Sequence, residues 1–125
     1  MRLEFNLLYG DLVVGRIHEA FCADDTWYGQ FESVIRREQG DLSRRLLDYV
    51  QFCEQWNERA GNGLAADLGE FERYRDVIDS GFWLLKTGSG KVSQIEHAPI
   101  FFLGGDISWR EMPKTPVASV AQPLD

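Results

Sequence analysis

The residues best suited to chemistry lie in two short strings, Gly88-Ser89-Gly90-Lys91 and His18 with Cys22, Asp24 and Asp25. The first resembles a phosphate loop only superficially. Such a loop needs a glycine five residues before its Gly-Lys pair and Ser or Thr directly after it. Leu85 and Val92 occupy those positions, so the string reads as a hairpin turn with a flanking lysine. The second string offers metal-compatible atoms, and His97 adds another. Zinc requires about four converging ligands, and no recognised ligand spacing occurs here. A Cys–His nucleophile would pair Cys22 or Cys53 with His18 or His97. Cys53 falls on the apolar stripe of a helix, where burial keeps a thiol inert, which leaves Cys22 as the thiol to test.

Carboxylates give no stronger signal. Glu54 and Glu58, like Glu72 and Asp76, share helix faces, but neither histidine joins them as a di-iron site would need. Glu32 and Glu96 are possible acid–base partners, and nothing in their spacing selects them. No catalytic residue and no cofactor or metal site is assigned. A polar pocket formed by Arg16, His18, Cys22, Asp24 and Asp25 is the alternative that an enzyme or small-ligand domain would use.

The elements that must position these residues are legible from periodicity. Leu3, Phe5, Leu7 and Tyr9 alternate with polar residues as in a half-buried strand. Gly10-Asp11 turns the chain into a second strand over 12–18. A two-residue turn would put Arg16 and His18 on the apolar side. A three-residue turn with a bulge puts Val13, Gly15 and Ile17 there instead, and is preferred because no arginine is desolvated. Trp27–Phe31 is a third strand, with Trp27, Gly29 and Phe31 on one face.

Asp41 is expected to cap a helix whose stripe is Leu42, Leu46, Tyr49, Val50, Cys53 and Trp56, ended by Gly61-Asn62-Gly63. A second helix is expected over Ala65–Asp79, with Leu64, Leu68, Phe71, Val77 and Ile78 on its apolar side. Further hairpins follow around 88–90 and 104–106. The order β-β-β-α-α-β-β-β predicts an α+β domain over 1–110: an antiparallel sheet of about five to six strands, with two helices on one face. Residues 111–125 hold three of the four prolines and read as a mobile tail.

Composition narrows the function classes. The chain has 125 residues, 44% of them hydrophobic, as in an ordinary globular domain. No apolar run approaches the ~20 residues of a membrane span, and Glu4 and Asn6 interrupt the apolar segment after Met1, so no signal peptide is expected. Two cysteines without zinc spacing suit a reducing, cytoplasmic setting. Thirteen basic and 20 acidic residues give a net charge of −7. That balance disfavours nucleic acid and suits a basic protein partner. Tyr28, Trp83 and Leu85 would form an aromatic interaction surface if the helices cover one sheet face only.

Taken together, these features point to a small acidic, non-catalytic protein-binding module. Its general profile is similar to that of inhibitor and immunity proteins. A ligand-binding domain or enzyme, and a homodimer of structural role, are the alternatives.

Overall fold

The computed structural model describes residues 3–112 of the chain. It has the α+β class expected. Seven strands form one antiparallel sheet: β1 (Leu3–Tyr9), β2 (Leu12–Ala23), β3 (Thr26–Ser33), β4 (Trp83–Lys86), β5 (Val92–Gln94), β6 (Ile100–Phe101) and β7 (Asp106–Trp109). Their order across the sheet is β5-β4-β1-β2-β3-β7-β6. The chain beyond β5 then brings the two ends of the sheet together. Ile95 bridges Glu111, the Glu96 N–H donates to the Arg110 carbonyl at 2.8 Å, and the Met112 N–H donates to the Gln94 carbonyl at 2.9 Å. The sheet therefore curls round on itself. Glu111 and Met112 belong to this closure; the tail expected from residue 111 otherwise lies outside the described residues.

The first hairpin resolves the register differently from the expectation. Its turn has two residues, with Tyr9 opposite Leu12 and Leu8 opposite Val13, but Leu7 then faces Gly15. Val14 is the extra residue of a bulge. It is fully buried, while Val13 is exposed. The physical reason is that two demands conflict and a bulge satisfies both. Gly10 accepts the positive φ of the tight turn, and Ile17 reaches the core with Arg16 outside.

A second bulge follows at Glu19. Phe5 pairs with Ile17 and Leu3 with Ala20, while on the other side Gln30 pairs with His18 and Tyr28 with Phe21. One residue of β2 is therefore surplus against both neighbours. Glu19 takes φ +55°, a left-handed conformation unusual for a non-glycine residue. The β2–β3 turn that follows has Asp24 and Asp25 both at positive φ, as type I′ hairpins require.

Helix α1 (Asp41–Gly61) buries Ser43, Leu46, Tyr49, Val50, Phe52 and Cys53. Gly40 is its N-cap residue, and Asp41 is the first helical residue, paired with Arg44 at 2.8 Å. The buried stripe starts at Ser43 and continues through Leu46, Val50 and Cys53. This phase leaves Leu42 exposed. The expected second helix is a 3-10 helix over Leu68–Tyr74 followed by the single turn α2 (Arg75–Ile78). Leu64 and Leu68 are exposed rather than packed.

This segment is fastened to α1 largely by polar contacts. Arg45 contacts both carboxylate oxygens of Asp76, at 2.7 and 3.3 Å, and Arg59 contacts both oxygens of Glu70, at 2.7 and 3.3 Å. The Arg45 hydrogen bond holds the Asp76 carboxyl below its ordinary range, and Arg59 does the same for Glu70. Phe52 adds apolar contact, with Phe71 and Tyr74 rings each 4.9 Å away. The inner sheet face lies against α1. Tyr49 Oη donates to the Pro99 carbonyl at 2.9 Å, and the Asn57 amide donates to the Phe101 carbonyl at 3.1 Å. Among the described residues no helix is long and apolar enough to cross a membrane.

Candidate functional site

The polar residues singled out from the sequence do not converge. Arg16 and His18 stand on the outer face of the sheet, away from the helices, beside a depression of about 320 Å³ that Glu4, Asn6 and Lys86 also line. His18 Nδ1 is 3.5 Å from Glu4 and Nε2 is 3.6 Å from Glu32. Cys22 and Asp25 lie past the Glu19 bulge and line a separate depression with Trp27, Arg110 and Glu111. Asp24 is in the hairpin turn itself. Among the described residues no group of three or more His, Cys, Asp and Glu is placed to hold a metal ion. His97 sits elsewhere, 3.3 Å from Asp79.

The thiols differ as burial dictates. Cys22 is exposed and Cys53 buried. Burial pushes the Cys53 thiol up to about 11, partly opposed by its hydrogen bond with Tyr49. Burial also raises the Tyr49 hydroxyl well above its ordinary value. Neither group is ionised near neutrality, so this pair is part of the core and not a nucleophile.

The expected aromatic surface of Tyr28, Trp83 and Leu85 is corrected in two of its three members. Trp83 and Leu85 are 0% and 1% exposed. They pair with Tyr9 and Leu7 across β4–β1, on the inner face that α1 covers. The Trp83 indole N–H donates to the Val77 carbonyl at 3.0 Å. Tyr28 alone is outside, and its companion there is Phe21, which the periodicity had not revealed. Simple alternation from Ile17 sends Phe21 inward; the surplus residue Glu19 reverses it. An acidic residue held at positive φ inside a strand is a backbone fact that no sequence pattern announces.

Phe21 and Tyr28 face each other across β2–β3 with ring centroids 5.5 Å apart and planes 28° from parallel. Both are 41% exposed. They line an open groove of about 640 Å³ with Glu19, Gln30, Phe102 and Asp106. The Gln30 amide donates to Asp106 Oδ1, which fixes that carboxylate at the groove wall. Glu4 and Glu32 stand further along the same outer face and are mostly exposed. The groove thus combines aromatic π faces with carboxylates, the chemistry that receives a guanidinium or ammonium group. Compared with protein-family models, curated proteins and solved structures, the chain matches none.

Proposed function

We propose that this chain is a non-catalytic module that binds a basic protein, with one arginine or lysine side chain of the partner anchored in the Phe21–Tyr28 groove. The observation that carries this reading is the exposed aromatic stack beside the Asp106 carboxylate on the outer sheet face. A cation over an exposed ring is worth about 0.5–1 kcal/mol. A charge-assisted hydrogen bond adds about 1.5–3 kcal/mol. One side chain therefore supplies only weak affinity, and the rest comes from the outer face around it, where Glu4 and Glu32 stand. A specific interface needs about 800 Å² from each partner, so the partner reaches beyond the groove onto the outer sheet face around it.

Acidic charge at this surface accelerates encounter with a basic partner and makes binding salt-sensitive. The charge of −7 opposes nucleic acid. Two unpaired thiols among the described residues are compatible with action in the cytoplasm. The small-ligand alternative around Arg16, His18 and Asp24 loses support, because Arg16 and His18 line one outer depression while Asp24 stands apart in the β2–β3 turn.

The test is a titration of 15N-labelled protein with a nine-residue peptide carrying three arginines. The expected result is saturable shifts at Phe21, Tyr28, Gln30 and Asp106. Tyr28→Ala abolishes them, and raising salt from about 50 to 500 mM weakens them several-fold. Shifts spread over all acidic residues and unchanged by Tyr28→Ala would mean nonspecific charge attraction and would sink the reading.

A further inference from the structure

A second concavity, independent of the outer groove, lies between the helical layer and the strands that close the sheet. It measures about 480 Å³ and its wall is mainly apolar, built from Tyr49, Phe71, Ile78, Ala98, Ile100 and Trp109. Pockets of this size and character are the usual sites for small organic ligands. Among the described residues, a buried donor behind the wall and a cation at the rim both lack partners. Trp109 is 2% exposed, and its indole Nε1 is the one buried side-chain polar atom without a hydrogen bond among the described residues. A buried N–H left unpaired is costly, and because this atom has no accessible surface its acceptor is a water held behind the wall and not a group lying in the cleft. Arg110 is exposed at the same cleft, and no carboxylate of the described residues lies within ion-pair distance of it. By contrast, the other polar side chain of note, His97, is engaged with Asp79.

An apolar wall with one unpaired cation at its rim selects a molecule with an apolar body and an anionic head. We infer that the cleft binds a small apolar carboxylate, an alkyl or aryl acid whose body lies along the apolar wall and whose head pairs with Arg110. Glu96 also lines the cleft, so its carboxylate sets a preference for a single negative charge over a diacid.

The probe is sodium decanoate, with decanol as its uncharged counterpart, added to the full chain while the four tryptophan indole N–H signals are followed by NMR. Saturable binding of decanoate is expected, with the Trp109 indole signal, assigned by its loss in Trp109→Phe, shifting because that ring belongs to the cleft wall. Decanol is expected to bind at least about tenfold more weakly, and Arg110→Gln, an exposed substitution, to weaken decanoate by about tenfold while leaving decanol unchanged. Ala98→Leu narrows the cleft and should weaken both probes. Should that variant fail to fold, the Arg110→Gln comparison still decides. No saturable binding, equal affinity for acid and alcohol, or a Trp109 signal that stays put at saturation overturns the inference. The last outcome would place the bound acid away from this wall.

Discussion

Strands β2 and β3 carry aromatic side chains to both faces of one sheet, with opposite results. Inside, Trp27 lies parallel to Trp109 at 5.8 Å, and Phe31 meets Phe101 at 4.9 Å. Outside, Phe21 and Tyr28 stack at 5.5 Å yet keep 41% exposure. Residue type does not separate the two sets. What separates them is phase along the strand, and phase is set by two surplus residues, Val14 and Glu19. Val14 puts Ile17 inside and so builds the core; Glu19 puts Phe21 outside and so builds the groove. The same device serves stability in one place and recognition in the other.

The largest contrast comes from placing a charge on each face. Trp83→Glu puts a carboxylate where exposure is 0% and deletes the indole bond to Val77. An unpaired buried charge costs several kcal/mol, and with the lost packing of an aromatic, about 3–5 kcal/mol, the sum rivals a small domain's whole stability. Loss of the cooperative thermal transition is the expected outcome. Tyr28→Glu, on the outer face, should cost under about 1.5 kcal/mol, the worth of one aromatic pair, and leave the transition intact. If both variants melt alike, the division between the faces fails.

How far this division was legible follows from which signals are periodic. Alternation in β1 beyond the exposed Leu3 and in Trp27–Phe31 sorted inner from outer residues; 3–4 spacing found α1, the Gly61-Asn62-Gly63 string marked its end, and its cap is Gly40 in place of Asp41. Those features repeat, so a pattern exposes them. The bulges are single insertions, and a single insertion leaves no period to detect. The placement of Phe21 depended on the Glu19 bulge, and that of Trp83 and Leu85 on the pairing of β4 with β1. Trp83-Leu84-Leu85 has apolar residues of both parities, so β4 alone does not say which face is covered. The 3-10 segment escaped for another reason. Arg45–Asp76 and Arg59–Glu70 hold it through contacts 31 and 11 residues apart, which helical periodicity cannot express.

The inner face should also be sensitive to a single methyl group. A Cβ at Gly15 would sit 2.4 Å from the Glu32 carbonyl oxygen and from the Phe31 ring. Backbone cannot give way cheaply there, so Gly15→Ala is expected to cost about 3 kcal/mol, read as a lowered denaturation midpoint with unchanged slope. A wild-type midpoint in that variant would show that β2 and β3 separate easily. Below it in size is a pH effect. Cys53 has its thiol raised from 9.0 to about 11 in the folded chain, so the unfolded chain loses its proton first as pH rises. Stability is then fully present below about pH 9 and falls between 9 and 11, by at most about 3 kcal/mol. Cys53→Ala should flatten that part of the curve. Thiol labelling at pH 8 should modify Cys22 quickly and Cys53 only on unfolding.

The smallest expected stability change is the most informative about the groove. Glu19→Gly relieves a left-handed backbone that costs a non-glycine residue about 1–2 kcal/mol, and adds unfolded-chain freedom worth about 0.5–1 kcal/mol. The two nearly offset, so the backbone exchange should move the midpoint by less than about 1 kcal/mol, and any further loss measures the contacts that the Glu19 side chain makes. Glycine suits a bulge in this conformation, so Phe21 and Tyr28 keep their places and the peptide still shifts their signals, with affinity reduced only by the missing carboxylate. Large destabilisation would mean that the Glu19 side chain, and not its backbone, holds the bulge. Loss of the Phe21 and Tyr28 shifts in a stable variant would place recognition in the carboxylate and take it away from the aromatic stack. Retention of both is what a surplus residue acting through strand phase alone must produce.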